Sequence, residues 1–106
     1  MEMEETIIQK RRPPHPGSVL AEILEDNEIT LTEFGKRIGV SRRTVSLIIN
    51  GHRPITVDLA IRIATFFGKS PDLWLNLQRK VDIWDAMQTN HSIYNQIKPI
   101  DSNKAA

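Results

Sequence analysis

Two adjacent arginines, Arg42 and Arg43, follow Ser41 at the point where an amphipathic helical pattern begins. A guanidinium is a planar fork of donors that matches guanine O6 and N7, or a phosphate. Two cations in the first turn of a helix oppose the macrodipole, so local helix physics does not favour them unless an anionic partner offsets the cost. The alternative is a pair of solvated charges. On the same outer face lies Ser46, flanked by Thr44, Leu47 and Asn50, with Leu47 suited to a thymine methyl. Arg53 and Lys36 are candidate phosphate anchors, as are Thr32 and Thr56, although these two threonines serve equally well as helix-start residues. None of this is catalytic chemistry: no nucleophile and base are brought together by spacing, and an enzyme is not expected. The chain has no cysteine, and His15, His52 and His91 lack metal-ligand spacing, so neither a metal nor a cofactor is expected.

The elements that must position these residues are read from caps and breakers. Gly17-Ser18 opens a stretch in which Val19, Leu20, Ile23 and Leu24 share one face, predicting a helix over about residues 18–27. Thr30 caps a second helix, Leu31 to Ile38, with Glu33 completing a capping box, and Gly39 stops it. Ser41 caps a third, ended by Asn50-Gly51, and Thr56 a fourth, Val57 to Phe67, expected to be the most buried. Its predicted polar strip is narrow: Asp58, Arg62 and Thr65. Ser70-Pro71 restarts a fifth helix to about Met87. Two short helices joined at Gly39 and pinned by Phe34, Ile38, Val40, Val45 and Ile48 form a helix-turn-helix, with small Gly35 at their closest approach. The second helix of such a unit enters the major groove of double-stranded DNA. Apart from Thr6 to Gln9, no segment alternates like a strand, and the expected fold is all-α.

Charge supports that orientation. Net charge is only +1, but residues 13–29 carry Glu22, Glu25, Asp26 and Glu28 with no Lys or Arg, a net −4. Residues 30–62 carry Lys36, Arg37, Arg42, Arg43, Arg53 and Arg62 against Glu33 and Asp58, a net +4. Such a domain meets phosphates with one face and repels them with the other. The organisation expected is a charged arm (1–14) ending in Pro13-Pro14, a DNA-binding domain (15–87) and a polar tail (88–106). The arm admits two roles: Lys10, Arg11 and Arg12 reach a minor groove, or Thr6 to Gln9 order on a protein partner. The acidic start is wrong for a secretory leader and no apolar run approaches a bilayer span, so no membrane partner is expected and the expected location is cytoplasmic.

His15-Pro16-Gly17, the helix-turn-helix through Gly51, and the run from Ser70-Pro71-Asp72-Leu73-Trp74 to Leu75-Asn76-Leu77-Gln78 together resemble the HigA antitoxin family, or VapI-type regulators. The similarity covers roughly residues 13–87, and Ser18 stands where the family commonly has an acid. The resemblance implies a five-helix domain of the phage-repressor (lambda-repressor-like) type. It further implies a homodimer that represses its own operon at a palindromic operator and neutralises a RelE-like, ribosome-dependent mRNA-cleaving toxin of the HigB type. His15 is read as a capping or packing residue.

The fifth helix independently suggests a partner surface. At 100° per residue, Leu73, Leu77, Val81 and Trp84 make one apolar stripe, read as covering the core, and Leu75, Ile83 and Ala86 a second, read as a dimer contact, the alternative being a helix buried on both sides by the C-terminal tail. Two other readings remain at this point: a free-standing transcriptional regulator without a toxin, and a protein-sequestering module whose helix-turn-helix is idle.

Overall fold

Three side-chain oxygens fix where the central helices begin. Thr30 Oγ1 accepts from Glu33 N (3.1 Å), Ser41 Oγ from Thr44 N (3.0 Å) and Thr56 Oγ1 from Leu59 N (3.2 Å). Each satisfies a backbone donor that a helix start leaves bare, at about 1 kcal/mol per cap. The computed structural model describes residues 11–101 and forms five helices there, with no strand among them. They are α1 (Pro16–Asp26), α2 (Leu31–Ile38), α3 (Arg42–Ile49), α4 (Val57–Phe67) and α5 (Asp72–Gln96). The strand candidate at Thr6 to Gln9 lies outside the described residues. Among the described residues no helix is long and apolar enough to cross a membrane.

Leu20, Phe34, Val45, Ile48, Ala60 and Ile63 are wholly buried, so α1 to α4 each contribute to one core, and Trp74 closes it from α5. Phe34, Phe66 and Phe67 pack as an aromatic trio, with edge-to-face contacts at 5.1 and 4.9 Å. The turn between α2 and α3 passes through Gly39 at φ 81°, a left-handed conformation that costs a residue with a Cβ about 1 kcal/mol or more. Gly35 is indeed a close approach: a Cβ there would lie 2.7 Å from the Val40 carbonyl oxygen.

Several sequence expectations are corrected. The first helix starts at Pro16 rather than about Ser18, because the His15 ring supplies the cap. The capping box at Thr30 is half formed, since the Glu33 carboxylate turns to Arg37 (3.9 Å). Helix α4 is less buried than its composition suggests: Ile61, 49% exposed, lies one turn from Asp58 and Thr65 and adds an apolar side chain to the exposed face. Leu73 does not cover the core; it is 52% exposed, and the neighbouring Trp74, with Gln78 and Val81, takes that face. Finally, α5 continues past Met87 to Gln96, interrupted by non-helical backbone at Asn90. Met87 is the last buried residue, and everything from 91 to 101 is exposed.

The tightest helix contact is one that sequence spacing did not reveal. A Cβ on Gly17 would overlap the Ile48 carbonyl, with Ile49 Cα only 2.9 Å away. The start of α1 thus rests directly on backbone at the end of α3. Gly17→Ala should therefore destabilise the fold by about 1–3 kcal/mol, the cost of overpacking, and lower the melting temperature by roughly 5–20 °C. Thermal unfolding followed by circular dichroism measures this; an unchanged midpoint would contradict the contact.

Candidate nucleic-acid interface

Helix α3 turns one arc to the core and another to solvent. Val45 and Ile48 are wholly buried and Ile49 half-buried. At 100° per residue Arg42, Ser46, Asn50 and Arg43 fall within about 100° of arc on the other side, and Leu47 borders it. Arg42 and Arg43 are exposed, and the first turn contains no acid. Among the described residues neither has an ion pair or hydrogen bond, and the same holds for exposed Lys36 and Arg53. Four cations on α2, α3 and the following loop are therefore uncommitted.

The polar residues of the predicted site divide differently. Thr44 is half-buried and its hydroxyl lies 2.9 Å from Ser41 Oγ, so it belongs to the cap. Asn50 donates its amide to the Ser46 carbonyl (2.9 Å), leaving its own side-chain carbonyl oxygen outward-capable. Thr56 is the α4 cap, and Thr32 is exposed one turn before Lys36. Leu47 is half-buried.

Three supports of this face were not anticipated from sequence. Arg62 donates from its Nη1 to the carbonyls of Ile38 (2.9 Å) and Gly39 (3.4 Å) while its Nε donates to Asp58 (2.8 Å). It thus satisfies carbonyls that the end of α2 leaves bare. Gln78 is 7% exposed; its Oε1 accepts from Ile55 N (2.8 Å) and its Nε2 donates to Asp82 (2.9 Å), tying the loop after α3 to α5. A glutamine at i+4 from Trp74 and i−3 from Val81 was the available signal. Arg12 makes a two-pronged ion pair with Asp85, both contacts at 2.8 Å, so it clasps α5 rather than extending toward a groove. Lys10 lies outside the described residues.

The second apolar stripe of α5 lines a groove of about 450 Å³, where Leu75, Ile83 and Ala86 face Ile55 and Val57. Leu75 also packs on the core, whereas Ile83 is 39% exposed and Ala86 half-buried.

The fold that carries this face is shared with known proteins. A helix-turn-helix family pattern matches residues 20–74. The antitoxin HigA-1 of Vibrio cholerae is 39% identical over 92 residues, 86% of this chain and 87% of that protein. This chain belongs to the HigA-type helix-turn-helix antitoxins. The antitoxin HigA of Pseudomonas aeruginosa, solved with the higBA promoter, superposes with a TM-score of 0.79 at 34% identity over 85% of this chain and all of that one. The HTH-type transcriptional regulator YbaQ of Escherichia coli, itself uncharacterized, is 40% identical over 76 residues, 71% of this chain and 67% of that protein.

Within this HigA-type domain, His-Pro-Gly at 15–17 has a clear structural task. His15 Nδ1 accepts from Gly17 N (2.9 Å), and its ring lies against Gly51, where a Cβ would meet it at 3.7 Å. Burial lowers the His15 pKa below its ordinary value, helped by Arg12 and opposed by Asp82 and Asp85. Only the ring with an unprotonated Nδ1 can accept from Gly17. A histidine with a folded-state pKa below its unfolded value contributes stability in full above the unfolded value, near 6.5, and loses it as pH falls through the folded one. Denaturation midpoints of the wild type should therefore fall between pH 7.5 and 5.5 by more than those of His15→Asn, which keeps a capping oxygen but does not titrate. Parallel profiles would remove His15 as the cause.

Proposed function

We propose that this chain is the antitoxin of a toxin–antitoxin pair, that it binds its own operator as a homodimer, and that it neutralises a RelE-like mRNA-cleaving toxin of the HigB type. The observation that carries the DNA half is the uncompensated cationic start of α3, Arg42 and Arg43, on the outward arc of a helix-turn-helix. In this reading the two arginines and Ser46 read base edges, with Leu47 and the Asn50 carbonyl oxygen beside them. Lys36, Arg53 and Thr32 hold phosphates, and Thr44 and Thr56 act mainly through the helix starts they cap. Thr56 retains a hydroxyl proton that can be donated to phosphate. The Pseudomonas aeruginosa relative, solved with promoter DNA, supports the same use of the fold.

The homodimer is assigned to the groove of Leu75, Ile83 and Ala86, which would remove exposed Ile83 and Val57 from water. The toxin half rests on 39% identity to HigA-1 across most of both chains. The relation to YbaQ, an HTH-type transcriptional regulator by name, supports a second reading as a transcriptional regulator, of which the toxin-free case is the alternative to test.

Replacing Arg42 and Arg43 together by alanine should weaken binding to the chain's own promoter fragment by about 2–6 kcal/mol if both reach bases, and flatten sequence preference at the contacted positions. If they instead hold phosphates, affinity falls uniformly and the slope of log K against log salt drops by about 2. An unchanged affinity and slope would refute this interface. Separately, expressing the small reading frame beside this chain's gene should arrest growth, and co-expressing this chain should restore it. Absence of arrest would leave the regulator without a toxin.

A further inference from the structure

The end of α1 carries charge of the wrong sign for its position. Glu25 and Asp26 occupy its last turn, Glu28 follows it, and no basic residue is there to complement the negative helix end. Glu22 and Asp26 are also i,i+4 neighbours of like charge. All four acids are exposed, and among the described residues none has an ion pair. Helix physics disfavours both arrangements, so this ridge is the mirror image of the arginines on α3.

Beside the ridge lies an apolar cleft of about 480 Å³, lined by Ile23, Phe67, Leu73 and Trp74, with Lys69 and Ser70 at its edge. Ile23 is one residue from Glu22 and three from Asp26, which places both acids along its flank. Leu73, exposed by 52%, belongs to this cleft, which accounts for an apolar residue that the core does not use. The lining itself holds one cation, Lys69, and no acid, so the negative charge comes from the four carboxylates at the adjoining end of α1. The cleft of Ile61 and Phe66 has two cations, Arg37 and Arg62, in its lining, and in that of Leu75 and Ile83 Arg79 and Asp82 balance.

We propose that this cleft and the Glu22–Asp26 ridge together form the docking surface for a basic protein toxin, leaving the α3 face open to DNA. The inference rests on the antitoxin reading above. A protein that grips mRNA must present cations to phosphates, whatever its fold. An apolar anchor point flanked by unpaired carboxylates complements such a surface and competes with RNA for it. The same negative ridge repels operator phosphates, so the toxin and the operator occupy different faces.

The test uses the purified product of whichever small reading frame adjoins this chain's gene, with the wild-type chain, Glu22→Lys/Asp26→Lys, and Leu73→Glu. All three substitutions are at exposed positions, and operator binding reports whether each variant is folded. Both variants should bind the toxin roughly tenfold or more weakly while keeping operator affinity within about twofold, and wild-type toxin affinity should fall as salt rises. Toxin affinity equal to wild type in both variants overturns the surface, as does displacement of the toxin by operator DNA. If the wild-type chain does not bind that protein at all, the antitoxin reading itself fails and takes the surface with it.

Discussion

The rest of the domain depends on how closely α1 approaches the end of α3. With no side chain at Gly17, backbone meets backbone at Ile48, and the His15 ring settles against Gly51 just beyond. The other end of α3 is held by the Gly39 turn and by Val40, whose carbonyl sits against Gly35. Helix α3 is thus gripped at both ends through backbone contacts, which leave little room for rigid-body adjustment. Between the grips, Leu20, Phe34, Val45 and Ile48 are wholly buried and fix its rotation. An interface that must place side chains against base edges within fractions of an ångström needs this kind of support.

Against that rigid frame, the domain places charge where isolated helices would not. Cations stand at the positive end of α3 and carboxylates at the negative end of α1, each opposing its own macrodipole. At exposed helix ends such placements cost roughly 0.3–1 kcal/mol apiece at low salt. Both costs turn into gains when an oppositely charged partner arrives. The contrast with Arg37 and Arg62 sharpens the point. Arg37 stacks 5.0 Å from the Phe66 ring centre and Arg62 binds Asp58 and the end of α2, so these cations are structural and the uncommitted ones stand apart from them.

Much of this was legible in the sequence because it is local. The caps Thr30, Ser41 and Thr56 and the stops Gly39 and Asn50-Gly51 act within one turn, and α2 and α3 begin and end, and α4 begins, where those residues predict. What was not legible is tertiary. Nothing local distinguishes Leu73 from Trp74 as the core residue of α5; that choice follows from how the helix rolls onto α4 and α1. The same holds for Arg62, whose i−4 partner Asp58 was visible but whose target carbonyls on Ile38 and Gly39 lie 24 and 23 residues away. The end of α5 was misplaced because its final turns touch nothing that a burial pattern could record. For the candidate site, the cations were legible as charges without helix partners, whereas the commitment of Thr44 and Asn50 to their own helix emerged only from side-chain direction.

The buried Gln78 gives α5 more than a packing role. Its side chain bonds the Ile55 amide in the loop entering α4, while on either side of it the same helix presents Leu75 and Ile83 to the groove. Arg12 and Asp85 add a second tie between α5 and the segment leading into α1. In the proposed dimer, the helix that meets the second copy is therefore one bonded to the loop that leaves the recognition helix and packed in the same core. Two-fold operators demand recognition helices about 34 Å apart, one turn of DNA. A dimer contact carried on a loose tail could not enforce that spacing, whereas α5 is tied by Gln78 to Ile55 at the entry to α4 and shares one core with α3. The buried Gln78 in an otherwise apolar seam is accounted for on the same ground: its bond to Ile55 is directional, so it fixes α5 against the loop entering α4 in a way that aliphatic packing alone would leave looser.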